Sequence, residues 1–169
     1  DEEDNSVVEF VVNHVAGRVP VIAGSGSNCT AAQTAKSLTY QKLGADAVLI
    51  ISPYYNKSNE EGIYQHLKHT ADAVDIPCIL YNIPGRTGCS ISVRNVERLA
   101  AHPNVMGIKE ASGNMSYAAS IAHTLSDDFR LYSGEDALTV PLMALGGSGT
   151  ISVWADVQPA LVHEMCRAY

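Results

Sequence analysis

Cys78-Ile79-Leu80-Tyr81-Asn82-Ile83 is almost continuously apolar, without the alternation of a strand that has one wet face. That is the pattern of a strand buried on both sides in a parallel sheet. Five further runs of the same kind lie around it: Val19 to Ala23, Ala47 to Ser52, Val105 to Lys109, Phe129 to Ser133, and Gly149 to Val153. Between them fall stretches with helical spacing, Ala31 to Leu43, Gly62 to Val74, Val93 to His102, and Met115 to Leu125. Gly44 suits a helix C-cap, and Pro77 and Pro103 stand just before strands, where no further helix is wanted. The opening stretch, Asp1 to Gly17, reads as a helix entered part-way, with Val7, Val8, Val11, Val12 and Val15 at core spacing. A βα unit therefore repeats every ~25 to 30 residues, which fits a βα-barrel or a doubly wound sheet. A closed barrel needs eight strands and usually ~250 residues, whereas six strands are expected in these 169 residues.

Composition bounds the partners. With 46% hydrophobic and 17% charged residues the chain has enough apolar side chains for a sizeable core. Eleven Lys+Arg against eighteen Asp+Glu give a formal charge of -7, so no basic face is expected to track nucleic acid. No apolar run approaches the ~18 residues of a membrane span, and the acidic start Asp1-Glu2-Glu3-Asp4 is unlike a signal peptide. A cytoplasmic protein is expected. Cys29, Cys78, Cys89 and Cys166 are scattered, without Cys-x-x-Cys pairing, and read as reduced thiols. Cys89 as a nucleophile has no sequence-local base, so it reads as a spectator.

Polar residues gather where the runs end, which in a barrel is the catalytic face. These are Pro53-Tyr54-Tyr55-Asn56, Tyr81 to Gly88, Gly107 to Gly113, and Ser133-Gly134-Glu135-Asp136. Lys109 stands out, because an apolar strand delivers it toward the interior. Burial disfavours the ammonium and frees the neutral amine that attacks a ketone. The plain alternative is a lysine that snorkels to solvent or pairs with Glu110. Tyr81 is a candidate proton shuttle or a core tyrosine. Arg86, in a Gly/Pro-bounded loop, is a candidate carboxylate clamp or a surface arginine. Gly24-Ser25-Gly26-Ser27 and Gly146-Gly147-Ser148-Gly149 lack the Walker lysine and dinucleotide spacing, and the second reads as a packing device at the bottom of the sheet. His66 and His69, spaced for a metal, read instead as a solvated helix face, and no metal is expected.

Taken in order, Val21-Ile22-Ala23-Gly24, Pro53-Tyr54-Tyr55-Asn56, Leu80-Tyr81-Asn82-Ile83-Pro84-Gly85-Arg86-Thr87-Gly88, Gly107-Ile108-Lys109-Glu110-Ala111 and Ser133-Gly134-Glu135-Asp136 closely resemble the dihydrodipicolinate synthase family along essentially the whole chain. The resemblance implies a TIM (β/α)8 barrel, incomplete here, with residues 1–169 as a partial catalytic domain holding strands three to eight. The family's first two strands, with a Gly-Thr-Thr-Gly loop, and its C-terminal helical region would lie outside. It implies a lyase that joins pyruvate to aspartate semialdehyde through an imine on Lys109, with no other cofactor. Tyr81 would donate and accept protons over the imine, and Tyr55 would reach across a dimer contact in a homo-oligomer, a dimer of dimers. Arg86 would hold the semialdehyde carboxylate, and Gly134 and Ile151 would line the pyruvate pocket. Asn28 and Tyr54 match an allosteric lysine site, although Ala32 stands where lysine-inhibited members carry glutamate. Two other readings remain open: another pyruvate-dependent aldolase of the same superfamily, or an inactive fragment or interaction subunit.

Overall fold

The computed structural model describes residues 2–169; Asp1, the first residue of the expected opening helix, lies outside the described residues. Six strands form one sheet: β1 (Ile22–Gly24), β2 (Ala47–Ile51), β3 (Cys78–Asn82), β4 (Val105–Glu110), β5 (Arg130–Ser133) and β6 (Gly149–Thr150). Their order in space is their order in sequence, and every neighbouring pair is parallel. A doubly wound sheet would reverse direction at a switch point; unbroken succession is barrel order. The connecting helices are α1 (Glu2–Val15), α2 (Thr30–Lys42), α3 (Glu60–Ala73), α4 (Pro84–Thr87), α5 (Val93–Ala100), α6 (Met115–Ile121), α7 (Thr139–Ala144) and α8 (Pro159–Ala168).

Side chains alternate across a strand, so one register row lies on each face in turn. Ile50, Leu80, Ile108 and Leu131 stand side by side across β2 to β5, all fully buried beneath the helices. They are the spine of a core that takes in Leu67, Val96, Leu99, Ile121 and Phe129. Three helices begin on side-chain caps: Asn59 accepts from Gly62 N, Ser92 from Asn95 N, and Asn114 from Tyr117 N. Gly44 follows α2 at φ 93°, the left-handed conformation that ends a helix without a Cβ penalty.

Several boundaries differ from the sequence pattern for identifiable reasons. β1 starts at Ile22 rather than Val19, which is 61% exposed; Pro20 between them has no N–H for the ladder. β6 ends at Thr150, and Val153 turns outward into the 3-10 turn Trp154–Asp156. Within α1 the five valines do not share one core face: Val8, Val12 and Val15 are half-buried, whereas Val7 and Val11 are exposed. α4 and α7 fall in stretches with too few residues for a helical period to show.

The two glycine-rich segments are packing devices. A Cβ on Gly26 would meet Ile51 Cγ2 at 2.5 Å, and one on Gly147 would meet the Leu142 carbonyl oxygen at 2.8 Å. Gly107 in β4 is tighter still, because a Cβ there would collide with the Arg130 carbonyl of β5. Gly107→Ala is therefore expected to push β4 from β5 and to cost roughly 1 to 3 kcal/mol. Urea denaturation checks this, and an unchanged midpoint would show that the sheet yields at this point.

Candidate active site

The row next to the buried spine holds the candidate residues. Ile51, Tyr81, Lys109 and Tyr132 are register partners across β2 to β5 and so point to the face opposite the helices. Tyr81 and Lys109 are half-buried. The Lys109 amine lies 4.3 Å from the centroid of the Tyr81 ring, over its π-face. Burial lowers the Lys109 pKa from the usual lysine value, and the Asp136 carboxylate partly offsets this. Burial likewise raises the Tyr81 phenol, with Arg86 pulling the other way. The amine is thereby biased toward its nucleophilic neutral form, and the phenol is kept as a proton donor.

Lys109 does not pair with Glu110. Consecutive residues of β4 face opposite sides, and Glu110 is buried on the helix side, where Asn82 Nδ2 donates to it at 2.7 Å and Ser112 N at 2.6 Å. The shaft of the lysine is shaped by Gly134, just beyond β5. A Cβ there would lie 2.7 Å from Ala111 Cβ and 2.9 Å from Lys109 Cε. The side chain that Gly134 leaves room for is the lysine itself. Sequence pattern marks Asp136 only as one of the polar residues at a strand end and leaves Tyr132 unmarked, since only the fold sets Asp136 near the amine and Tyr132 opposite Lys109 in register.

The remaining candidates lie around this centre. Arg86 is exposed on α4, a single turn of helix closed by Gly88 in the left-handed region at φ 72°, its N–H donating to Pro84 O. Ile151 is half-buried, and its N–H donates to Ser133 O at 2.8 Å, continuing the ladder past β6. Tyr55 is 89% exposed at φ 72°, its N–H reaching Thr87 O at 3.4 Å. Tyr54 and Ala32 line a cavity of about 440 Å³ with Asp4 and Lys36, which pair at 2.8 Å. Asn28 offers its carbonyl to Asn56 Nδ2 at 2.7 Å.

One sequence expectation is corrected. His66 is not on a solvated face: it is buried, with Nδ1 2.8 Å from Thr30 Oγ1 and Nε2 3.1 Å from Ile51 O, and burial lowers its pKa. It fastens α2, α3 and β2 together, while His69 is exposed. Among the described residues no three His, Cys, Asp or Glu side chains gather as a metal site. Cys89 is half-buried, with its Sγ 3.5 Å from Pro53 O. Among the described residues no helix is long and apolar enough to cross a membrane.

An unbroken parallel sheet in barrel order, with a half-buried lysine at the C-terminal end of its fourth strand, defines a protein of (β/α)8 type. A sequence profile of the Dihydrodipicolinate synthetase family matches residues 1–169, and the chain belongs to that family. It is 50% identical over 167 residues to the 4-hydroxy-tetrahydrodipicolinate synthase of Pseudomonas putida strain W619, covering 99% of this chain and 57% of that protein. Against the synthase of Nitrosomonas europaea the identity is 48%, with the same coverage. The crystal structure of dihydrodipicolinate synthase from Aquifex aeolicus superposes with a TM-score of 0.95 at 44% identity, over 99% of this chain and 57% of that one. That from Thermotoga maritima gives 0.96 at 36%, over 100% and 59%. The chain thus spans a little under three-fifths of the length of these relatives.

The Asp136 carboxylate favours the ammonium, so its removal should lower the Lys109 pKa further. Asp136→Asn is expected to move the midpoint of amine labelling at Lys109, followed by peptide mapping across pH, to lower pH than in the parent. A shift upward, or none, would show that Asp136 does not act on this amine.

Proposed function

We propose that the chain carries the imine chemistry of 4-hydroxy-tetrahydrodipicolinate synthase, joining pyruvate to L-aspartate 4-semialdehyde in the diaminopimelate route to lysine. One observation carries the reading: a family member holds Lys109 desolvated over Tyr81 at the end of an apolar strand. The neutral amine attacks the ketone carbon of pyruvate, and loss of water from the carbinolamine leaves an imine. The imine draws electrons from the methyl carbon, which loses a proton and attacks the aldehyde. The amine of the semialdehyde then closes on the former ketone carbon and displaces Lys109. Because the protonated imine is the electron sink, the sequence of steps calls on no metal or organic cofactor.

Within this reading Tyr81 passes protons to and from the carbinolamine oxygen, consistent with its place beside the amine. Arg86 offers its planar fork to the semialdehyde carboxylate. Tyr55, exposed on its strained turn, serves a neighbouring subunit in a homo-oligomer, a dimer of dimers, working in the cytoplasm. Gly134 and Ile151 border the pyruvate site, and Asn28 and Tyr54 border a regulatory one.

Incubating the full natural enzyme with pyruvate and borohydride should leave a reduced adduct on the peptide that bears Lys109. An adduct on Lys57 or Lys68 instead, or none at all, would refute the assignment. Arg86→Ala should spare this trapping while lowering kcat/KM for the semialdehyde by about 10- to 150-fold, the loss of a charge-assisted pair. Equal loss of trapping would make Arg86 a structural residue.

A further inference from the structure

Tyr81 and Lys109 are each followed by a buried polar residue that the imine chemistry does not use. Asn82 is 0% exposed and Glu110 2% exposed, and they are register partners on the helix side of β3 and β4. Their side chains form a closed set of hydrogen bonds. Asn82 Nδ2 donates to Glu110 Oε2 at 2.7 Å, and Ser112 N donates to the other carboxylate oxygen at 2.6 Å. Asn82 Oδ1 accepts from Ile91 N at 3.0 Å and from Ser90 Oγ at 3.3 Å. The backbone of the same pair is also engaged: Asn82 O accepts from Ala111 N at 2.9 Å, and Glu110 O accepts from Gly134 N at 2.7 Å.

We propose that the Asn82–Glu110 hydrogen bond is a positioning device for imine formation, fixing β3 against β4 so that the Lys109 amine stays over Tyr81 and against Gly134. The proposal rests on the imine reading of Lys109. Stability alone does not account for the pair, because apolar residues of similar volume generally hold buried elements together at least as well as buried charge. Burial raises the Glu110 pKa, with the bonds from Ser112 and Asn82 pulling the other way, so a carboxyl group in this position is costly. What a hydrogen bond adds over apolar contact is direction. Each member is covalently next to one of the two site residues, so a tilt of either strand at this bond is transmitted to the opposite face within a single residue.

The donor and acceptor roles permit an exchange test in the full natural enzyme. Glu110→Gln sets one N–H group against another, and Asn82→Asp sets two carboxylates face to face. The double exchange restores every bond: the amide at position 110 donates to the carboxylate at position 82, which still accepts from Ile91 and Ser90, while the amide oxygen accepts from Ser112. Each single change is expected to slow borohydride-trapped adduct formation at Lys109 by roughly 10- to 100-fold, and the double variant should return close to the parental rate. For Asn82→Asp, the rate relative to parent should rise as pH falls, because one shared proton rebuilds the bond between the two carboxyls. Tyr117, whose pKa burial raises to well above its usual value, is the other titratable group that feels Glu110 and stays protonated throughout. Leu67→Ala, a core truncation on α3, serves as the control that lowers stability without touching the bond.

Parental trapping in both single variants, or a folded double variant as slow as the singles, overturns the proposal. So does a Leu67→Ala variant that slows trapping as much as they do, since the effect would then be one of stability. Glu110→Gln, which keeps the Ser112 bond, decides alone if Asn82→Asp does not fold. Absence of an adduct in the parent is a separate result, which removes the imine reading itself.

Discussion

The parallel register of β3 and β4 is the constraint on which the site depends. It sets Tyr81 beside Lys109 on one face and Asn82 beside Glu110 on the other. Because strand side chains alternate with a period of two, a slip of one residue in either strand would exchange these faces. The lysine would then enter the helix-packed core, and the carboxylate would stand where pyruvate is proposed to bind. The row of Ile50, Leu80, Ile108 and Leu131 opposes any such slip, since a slip of β3 would bring the fully buried Leu80 out of the core, and a slip of β4 would bring out Ile108. At roughly 1.5 to 3 kcal/mol for each side chain, the apolar row far outweighs any single polar contact in setting the register.

Register alone places Cα atoms; the position of the amine also depends on what is missing around it. Gly134 and Gly107 both lie where β5 and its following turn approach β4, and a Cβ at either position would meet an atom already there. At Gly107 that atom belongs to the backbone of β5, so the glycine decides how closely the strands approach. At Gly134 the atoms belong to Ala111 Cβ and the lysine shaft, so the glycine leaves room for the side chain to run. Burial of the amine end of that side chain lowers its pKa. Strand spacing, side-chain path and amine chemistry are thus one packing problem.

Much of this was legible in the sequence because the signals are local. Continuous apolar runs mark strands covered on both faces, and all six lie where those runs do, with ends shifted by a few residues where proline or an outward turn breaks the ladder. Lys109 shows as an ionisable residue closing an apolar run. The expectations that failed are those for which the face of an element matters and the sequence does not give it. His66 has helical spacing with His69, but only the docking of α2 on α3 reveals that one is buried and the other wet. Glu110 adjoins Lys109 in sequence, yet alternation across β4 separates them. Asp136 bears on Lys109 through a strand-to-strand approach that no sequence window contains.

The separation of Glu110 from Lys109 has a chemical consequence. Two unit charges about 4 Å apart at an effective dielectric near 20 attract by roughly 4 kcal/mol, which at 1.36 kcal/mol per unit is about three pKa units in favour of the ammonium. A carboxylate paired directly with Lys109 would thus oppose the effect of burial and favour the ammonium. Placing Glu110 behind the sheet, with its oxygens already taken by Asn82 and Ser112, keeps a nearby negative charge from acting as the lysine's counter-ion. Asp136 exerts a weaker pull than burial, so the Lys109 pKa stays below the usual lysine value. The strand that carries both residues therefore uses its two faces for opposite ends: one holds a carboxyl group as a structural acceptor, and the other keeps an amine away from that carboxyl group, as the proposed imine chemistry requires.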